Sequence, residues 1–132
     1  MHAKRLVFFI VVAWFTIGGA AHFLAPQFFL KIVPPDLPFR SAAVYISGFF
    51  ELLGAAAMLV SPLRRMAGYG LIALTLAVTP ANVYMWTHSE LFPGIPEPVL
   101  ALRLVLQVFL LAAIWWSTQP QRGGKQGTRP AD

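Results

Sequence analysis

The 132 residues are 58% hydrophobic and only 11% charged, whereas a soluble domain carries roughly 25% charged residues. A mean hydropathy of +0.67 in so short a chain leaves more apolar side chains than a small water-soluble globule can bury, which excludes that class. No cysteine occurs, which excludes disulfides, cysteine-ligated metals and dithiol relays. The net charge of +5 comes from basic residues at the edges of apolar runs, a membrane-orienting distribution rather than a nucleic-acid patch.

The first apolar run, Leu6 to Leu24, is long enough to span a bilayer, which takes about 20 residues. Its start imitates a secretory signal, with Lys4-Arg5 before the run and Gly18-Gly19-Ala20-Ala21 within it, but the apolar stretch continues through Phe23 and Leu24 and favours a retained span. Ala25 to Arg40 carries Pro26, Pro34, Pro35 and Pro38 around Phe28, Phe29 and Leu30, and reads as a rigid link lying partly in the membrane interface. The second run is 41–60. Ser61 to Arg65 is a short Pro-containing turn, which forces an antiparallel hairpin with the third run, 66–86. Within that run Pro80 has no N–H for the carbonyl of Leu76, which predicts a kink close to Asn82. Ala73, Ala77 and Ala81 form a small-residue stripe expected to be a helix contact line. A second Pro-rich link, Thr87 to Pro98, leads to the last run, 99–116. Spanning barrel strands show about ten residues of alternation, whereas these runs are twice that length. The expected fold is therefore all-α: a four-transmembrane-helix bundle over 1–118, with a disordered basic tail over 119–132.

Lys4, Arg5, Arg64, Arg65, Arg122, Lys125 and Arg129 fall on one side of this topology, against Lys31 and Arg40 on the other. The positive-inside rule then places the N and C termini in the cytoplasm and both Pro-rich links outside. Trp86, Trp115 and Trp116 lie near proposed helix ends and suit an aromatic belt.

Ionisable groups at membrane depth are costly, on the order of 2.5 to 3.5 kcal/mol at the centre, so they point to function. Three fall inside the spans: His22, Glu51 and Arg103. With alternating helix direction all three reach the outer half of the bundle or its midplane. Helical spacing adds Ser47 beside Glu51, Gln107 beside Arg103, and a face of the third span made of Thr75, Thr79, Asn82 and Trp86. Gly18 and Gly19 share a face with His22 and admit a close neighbour. Turning these faces inward places His22, Ser47, Glu51, Asn82, Arg103 and Gln107 around one cavity open to the outer leaflet. Glu51 and Arg103 either orient the polar groups of a ligand or pass a proton, or else form a buried ion pair that only fixes helix register. The three histidines lack ligand spacing, so no metal site is expected. No phosphate loop, defensible Ser/His/Asp order or HExxH occurs, which argues against an autonomous enzyme.

Gly18-Gly19-Ala20-Ala21-His22-Phe23 followed by Pro26, Ser47-Gly48-Phe49-Phe50-Glu51, Arg64-Arg65-Met66-Ala67-Gly68 and Thr79-Pro80-Ala81-Asn82-Val83-Tyr84-Met85 resemble the DoxX-like membrane proteins in order and spacing, from roughly Leu6 to Trp116. The resemblance implies a four-helix protein of a bacterial inner membrane. It also implies His22, Glu51, Asn82 and Arg103 as recurring polar positions, with membrane redox proteins as partners. Some relatives are subunits of a thiosulfate:quinone oxidoreductase, and others accompany a superoxide dismutase and a sulfurtransferase. The absence of cysteine argues against direct thiol chemistry here. Two readings follow. In the first, the chain binds a small quinone-like or lipid-like ligand, or serves as membrane subunit of a quinone-linked or oxidative-stress complex. In the second, it is a structural anchor or assembly subunit in the lipid bilayer. Quinone is the one cofactor class in view; a homo-oligomer fits either reading, nucleic acid neither.

Overall fold

The computed structural model describes residues 1–120, so most of the tail expected over 119–132 lies outside the described residues. Six α-helices make up the fold: α1 (His2–Leu24), α2 (Pro26–Ile32), α3 (Arg40–Leu59), α4 (Arg64–Ala77), α5 (Thr79–Thr87) and α6 (Glu97–Thr118), with no strand among the described residues. Four candidate membrane spans result, by length and apolar composition: α1, α3, the α4–α5 unit with its leading turn (Ser61–Thr87), and α6. The runs expected at 6–24, 41–60, 66–86 and 99–116 each sit within or nearly within one of them.

Two connections depart from expectation. The first Pro-rich link is not merely rigid chain: it contains α2, started by Pro26 at the first helical turn, where a missing N–H is tolerated. Arg40 anchors its far end by donating to the carbonyls of Leu30 and Val33, the latter at 2.9 Å. The third span is not one kinked helix. It breaks at Val78, and Pro80 begins α5 rather than bending a continuous helix at Asn82. Thr79 Oγ1 donates to the Thr75 carbonyl at 3.0 Å and so occupies an acceptor at the break.

The helices meet through small residues. At the α1–α3 crossing a side chain on Gly48 would lie 2.5 Å from His22 Cβ and 3.0 Å from the Gly19 carbonyl. Gly54 similarly receives Leu71, and Gly68 receives Thr118. These positions, rather than the alanine stripe, are the contact lines of α4: Ala73 and Ala77 are exposed.

Two apolar cores form, one toward each end of the bundle. The larger joins Phe8, Val11 and Phe15 of α1 to Ala55, Met58, Leu71 and Ile114. The smaller, under the two links, joins Ile32, Met85, Phe92 and Leu100. At the larger core's end Lys4 Nζ donates to the Gln119 carbonyl at 2.6 Å, while Arg64 lies 4.5 Å over the Phe8 ring and donates to the Met58 carbonyl. The basic residues Lys4, Arg5, Arg64 and Arg65 therefore share one end of the bundle. Around the helices a belt of large apolar side chains is exposed, including Leu6, Ile17, Phe49, Phe50, Val108 and Phe109. Exposed apolar side chains of this number are the surface that a membrane-spanning bundle presents to lipid.

Candidate functional site

Between the two cores the helices part around a cavity of about 540 Å3, within the range of small-molecule sites. All six residues expected to converge line it: His22 from α1, Ser47 and Glu51 from α3, Asn82 from α5, and Arg103 and Gln107 from α6. The rest of the wall is mainly apolar, with Trp14, Phe15, Leu74, Leu106 and Leu110 toward the larger core and Phe28, Phe29 and Ile32 of α2 forming the roof.

The polar groups divide into two sets. On one wall the Nδ1 of His22 lies 2.8 Å from the Gly18 carbonyl. A carbonyl only accepts, so Nδ1 carries a hydrogen and donates it to Gly18. The ring stacks on Phe29, centroids 3.8 Å apart, which fixes its plane and ties α2 to α1. Glu51 Oε2 stands 3.9 Å from Nδ1, beyond hydrogen-bond reach. It also sits 2.9 Å from where a Gly18 side chain would begin. Glycine at 18 is thus what lets the carboxylate lie against α1.

On the opposite wall a chain of hydrogen bonds stitches α6 to the broken span. Arg103 Nη2 donates to Asn82 Oδ1 at 3.4 Å. Asn82 Nδ2 donates to Gln107 Oε1 at 2.6 Å, and Gln107 Nε2 donates to Thr79 Oγ1 at 2.6 Å. Thr79 passes the sequence on to the Thr75 carbonyl. The expected face of the third span is therefore used, except that Trp86 is 41% exposed and stands outside it.

The Glu51–Arg103 ion pair is not formed. Among the described residues the sole contact of Glu51 within 4.0 Å of a basic nitrogen is that with His22. Arg103 is held instead by Asn82 of α5, whose amide oxygen accepts from its guanidinium. A double-mutant cycle of Glu51→Gln and Arg103→Gln in thermal unfolding should accordingly show a coupling below about 0.5 kcal/mol, as for groups that share no contact. A coupling of 1 to 3 kcal/mol, roughly that of a direct pair, would contradict the geometry.

Sequence reasoning missed the roof. Phe28 and Phe29 lie on a helix rather than in a plain interfacial link, and the signal for it is Pro26 followed by an apolar turn, a helix start. Thr79 is more than one member of a polar face: it is the acceptor that ends the Gln107 bond.

No curated protein and no solved structure matches the chain. A family model does, over residues 11–118, which takes in the cavity and most of all four candidate spans. The chain belongs to the DUF8561 family, a domain of unknown function.

Proposed function

We propose that this chain is a ligand-binding subunit of a bacterial inner membrane, crossing it four times with its basic end in the cytoplasm, whose cavity holds a small amphipathic molecule in the outer half of the bilayer. The observation that carries the reading is the convergence of six polar residues from four helices on one cavity with otherwise apolar walls. Helix-fixing polar contacts need no empty space beside them. A site of convergent polar groups in an apolar cavity of this size is the usual form of a small-molecule pocket. The clustering of Lys4, Arg5, Arg64 and Arg65 at one end supports the orientation. The likeness of the Gly18–Phe23, Ser47–Glu51 and Thr79–Met85 segments to DoxX-like proteins supports a quinone-like or lipid-like ligand and a place beside membrane redox proteins.

Native mass spectrometry of the protein extracted gently from its own membrane tests this, alongside Glu51→Gln. A defined small-molecule adduct on the wild type, depleted in the variant, is the expected result. An empty wild-type protein would remove the binding reading. It would favour a structural anchor, for which the bonded chain from Arg103 to Thr79 is the supporting observation.

A further inference from the structure

The cavity holds an acid and a base that do not meet. Neither oxygen of Glu51 accepts a hydrogen bond from a described residue, and the one nearby nitrogen, His22 Nδ1, is committed to the Gly18 carbonyl. Arg103 gives one of its N–H groups to Asn82 and no other to a described residue. These groups are not sealed in. Among the described residues the fully enclosed side-chain polar atoms without partners are Arg40 Nε and Gln119 Nε2. Glu51 and Arg103 therefore direct their free atoms into open cavity space.

With Glu51 as the carboxylate, uncompensated charge at membrane depth is expensive, and the favoured occupant offers each group a complement. A neutral carbonyl compound would serve Arg103 and leave the carboxylate without a donor. An anionic amphiphile would serve Arg103 and bring a second negative charge into the space Glu51 faces. A cation would reverse the fault. One molecule carrying both charges answers both walls.

We propose that the occupant is a zwitterionic phospholipid-type amphiphile drawn from the bilayer, its ammonium on Glu51 of α3 and its phosphate on Arg103 of α6; this rests on the binding reading above. An ammonium has three donors to distribute, and the Ser47 hydroxyl, one helical turn before Glu51 on α3, also lines the cavity to receive one. Guanidinium suits phosphate through its forked donors. The apolar remainder of the molecule has a path as well. Trp14 of α1 and Leu106 of α6 both line the cavity and are 53% and 44% exposed, so apolar side chains reach from its wall to the apolar belt. The outer end is roofed by α2 and by Pro34 and Leu37. An apolar wall continuous with the outward-facing apolar side chains suits a molecule that carries acyl chains.

The test is a competition by native mass spectrometry. The full chain is reconstituted in nanodiscs holding equal amounts of phosphatidylethanolamine, phosphatidylglycerol, diacylglycerol and ubiquinone, then released and its retained molecules counted. Retention of phosphatidylethanolamine is expected to exceed that of each of the others by about tenfold. Glu51→Gln should erase the preference over phosphatidylglycerol, which shares the phosphate and lacks the amine. Arg103→Gln should lower retention of both phospholipids, and Arg103→Lys should keep phosphatidylethanolamine bound should the Gln variant fail to fold. Preferred retention of ubiquinone, diacylglycerol or phosphatidylglycerol would overturn the zwitterion assignment while sparing the binding reading; an empty protein would overturn both. Displacement by water-soluble phosphoethanolamine would overturn the bilayer source.

Discussion

Replacing Gly48 with leucine is expected to cost about 3 kcal/mol of stability, the upper end of ordinary overpacking, and to displace His22 from the cavity wall. A Cβ at 48 would lie 2.5 Å from His22 Cβ and 3.0 Å from the Gly19 carbonyl. One of these neighbours is helix backbone, and the other is the root of a side chain, so neither can swing aside. Relief requires α1 and α3 to separate. Separation would also carry His22 off the Gly18 carbonyl and away from Phe29, loosening the roof. Thermal unfolding in detergent, followed by circular dichroism, gives the measurement. Gly70 supplies the comparison, since a side chain there meets nothing within 4 Å, and Gly70→Ala should stay neutral or gain up to about 1 kcal/mol through helix propensity. Equal behaviour of the two variants would refute the close crossing of α1 and α3.

Gln107→Leu should destabilise the bundle by about 1 to 3 kcal/mol, the range for leaving polar groups unpaired. The amide makes two short bonds at 2.6 Å, both to the first turn of α5, and it links Asn82 to Thr79. Leucine fills a similar volume but leaves Asn82 Nδ2 without its acceptor. Interhelical hydrogen bonds in membrane proteins average nearer 0.6 kcal/mol, because the unfolded helices find other partners. The larger figure is expected here because α5 is short and carries the broken end of its span. The effect should extend beyond stability: Asn82 also holds Arg103, so retention of a cavity ligand should fall together with the melting temperature. Val108→Leu, one residue on and 65% exposed, should alter neither. A Gln107→Leu protein that melts like the wild type would show that α5 is held by its apolar packing alone.

The sequence by itself determined the four candidate spans and the polar members of the cavity wall. Four apolar runs of membrane length leave a helix bundle as the only economical structure, because a backbone in hydrocarbon must satisfy its own hydrogen bonds. The side chains that are costly there, Glu51, Arg103, Asn82 and Gln107, turn inward for the same reason, so 3.6-residue spacing was enough to name the wall. Gly18, Gly19 and His22 on one face likewise announced a close approach, now seen against Gly48 and Glu51.

Partner choice within that wall was decided only by the tertiary structure. Opposite charges on facing helices suggest a Glu51–Arg103 pair, yet pairing is a matter of rotation and depth, which spacing along one helix does not encode. α5 packs beside α6 after the break at Val78, and Arg103 receives the amide oxygen of Asn82. The tight α1–α3 crossing holds Glu51 against Gly18. The roof was hidden for a related reason: α2 is too short for a periodic signal and depends on contacts distant in sequence, the stack on His22 and the hold of Arg40 on its last carbonyls. Local sequence dictates which groups must avoid lipid; the packing of glycines, prolines and caps dictates which of them meet.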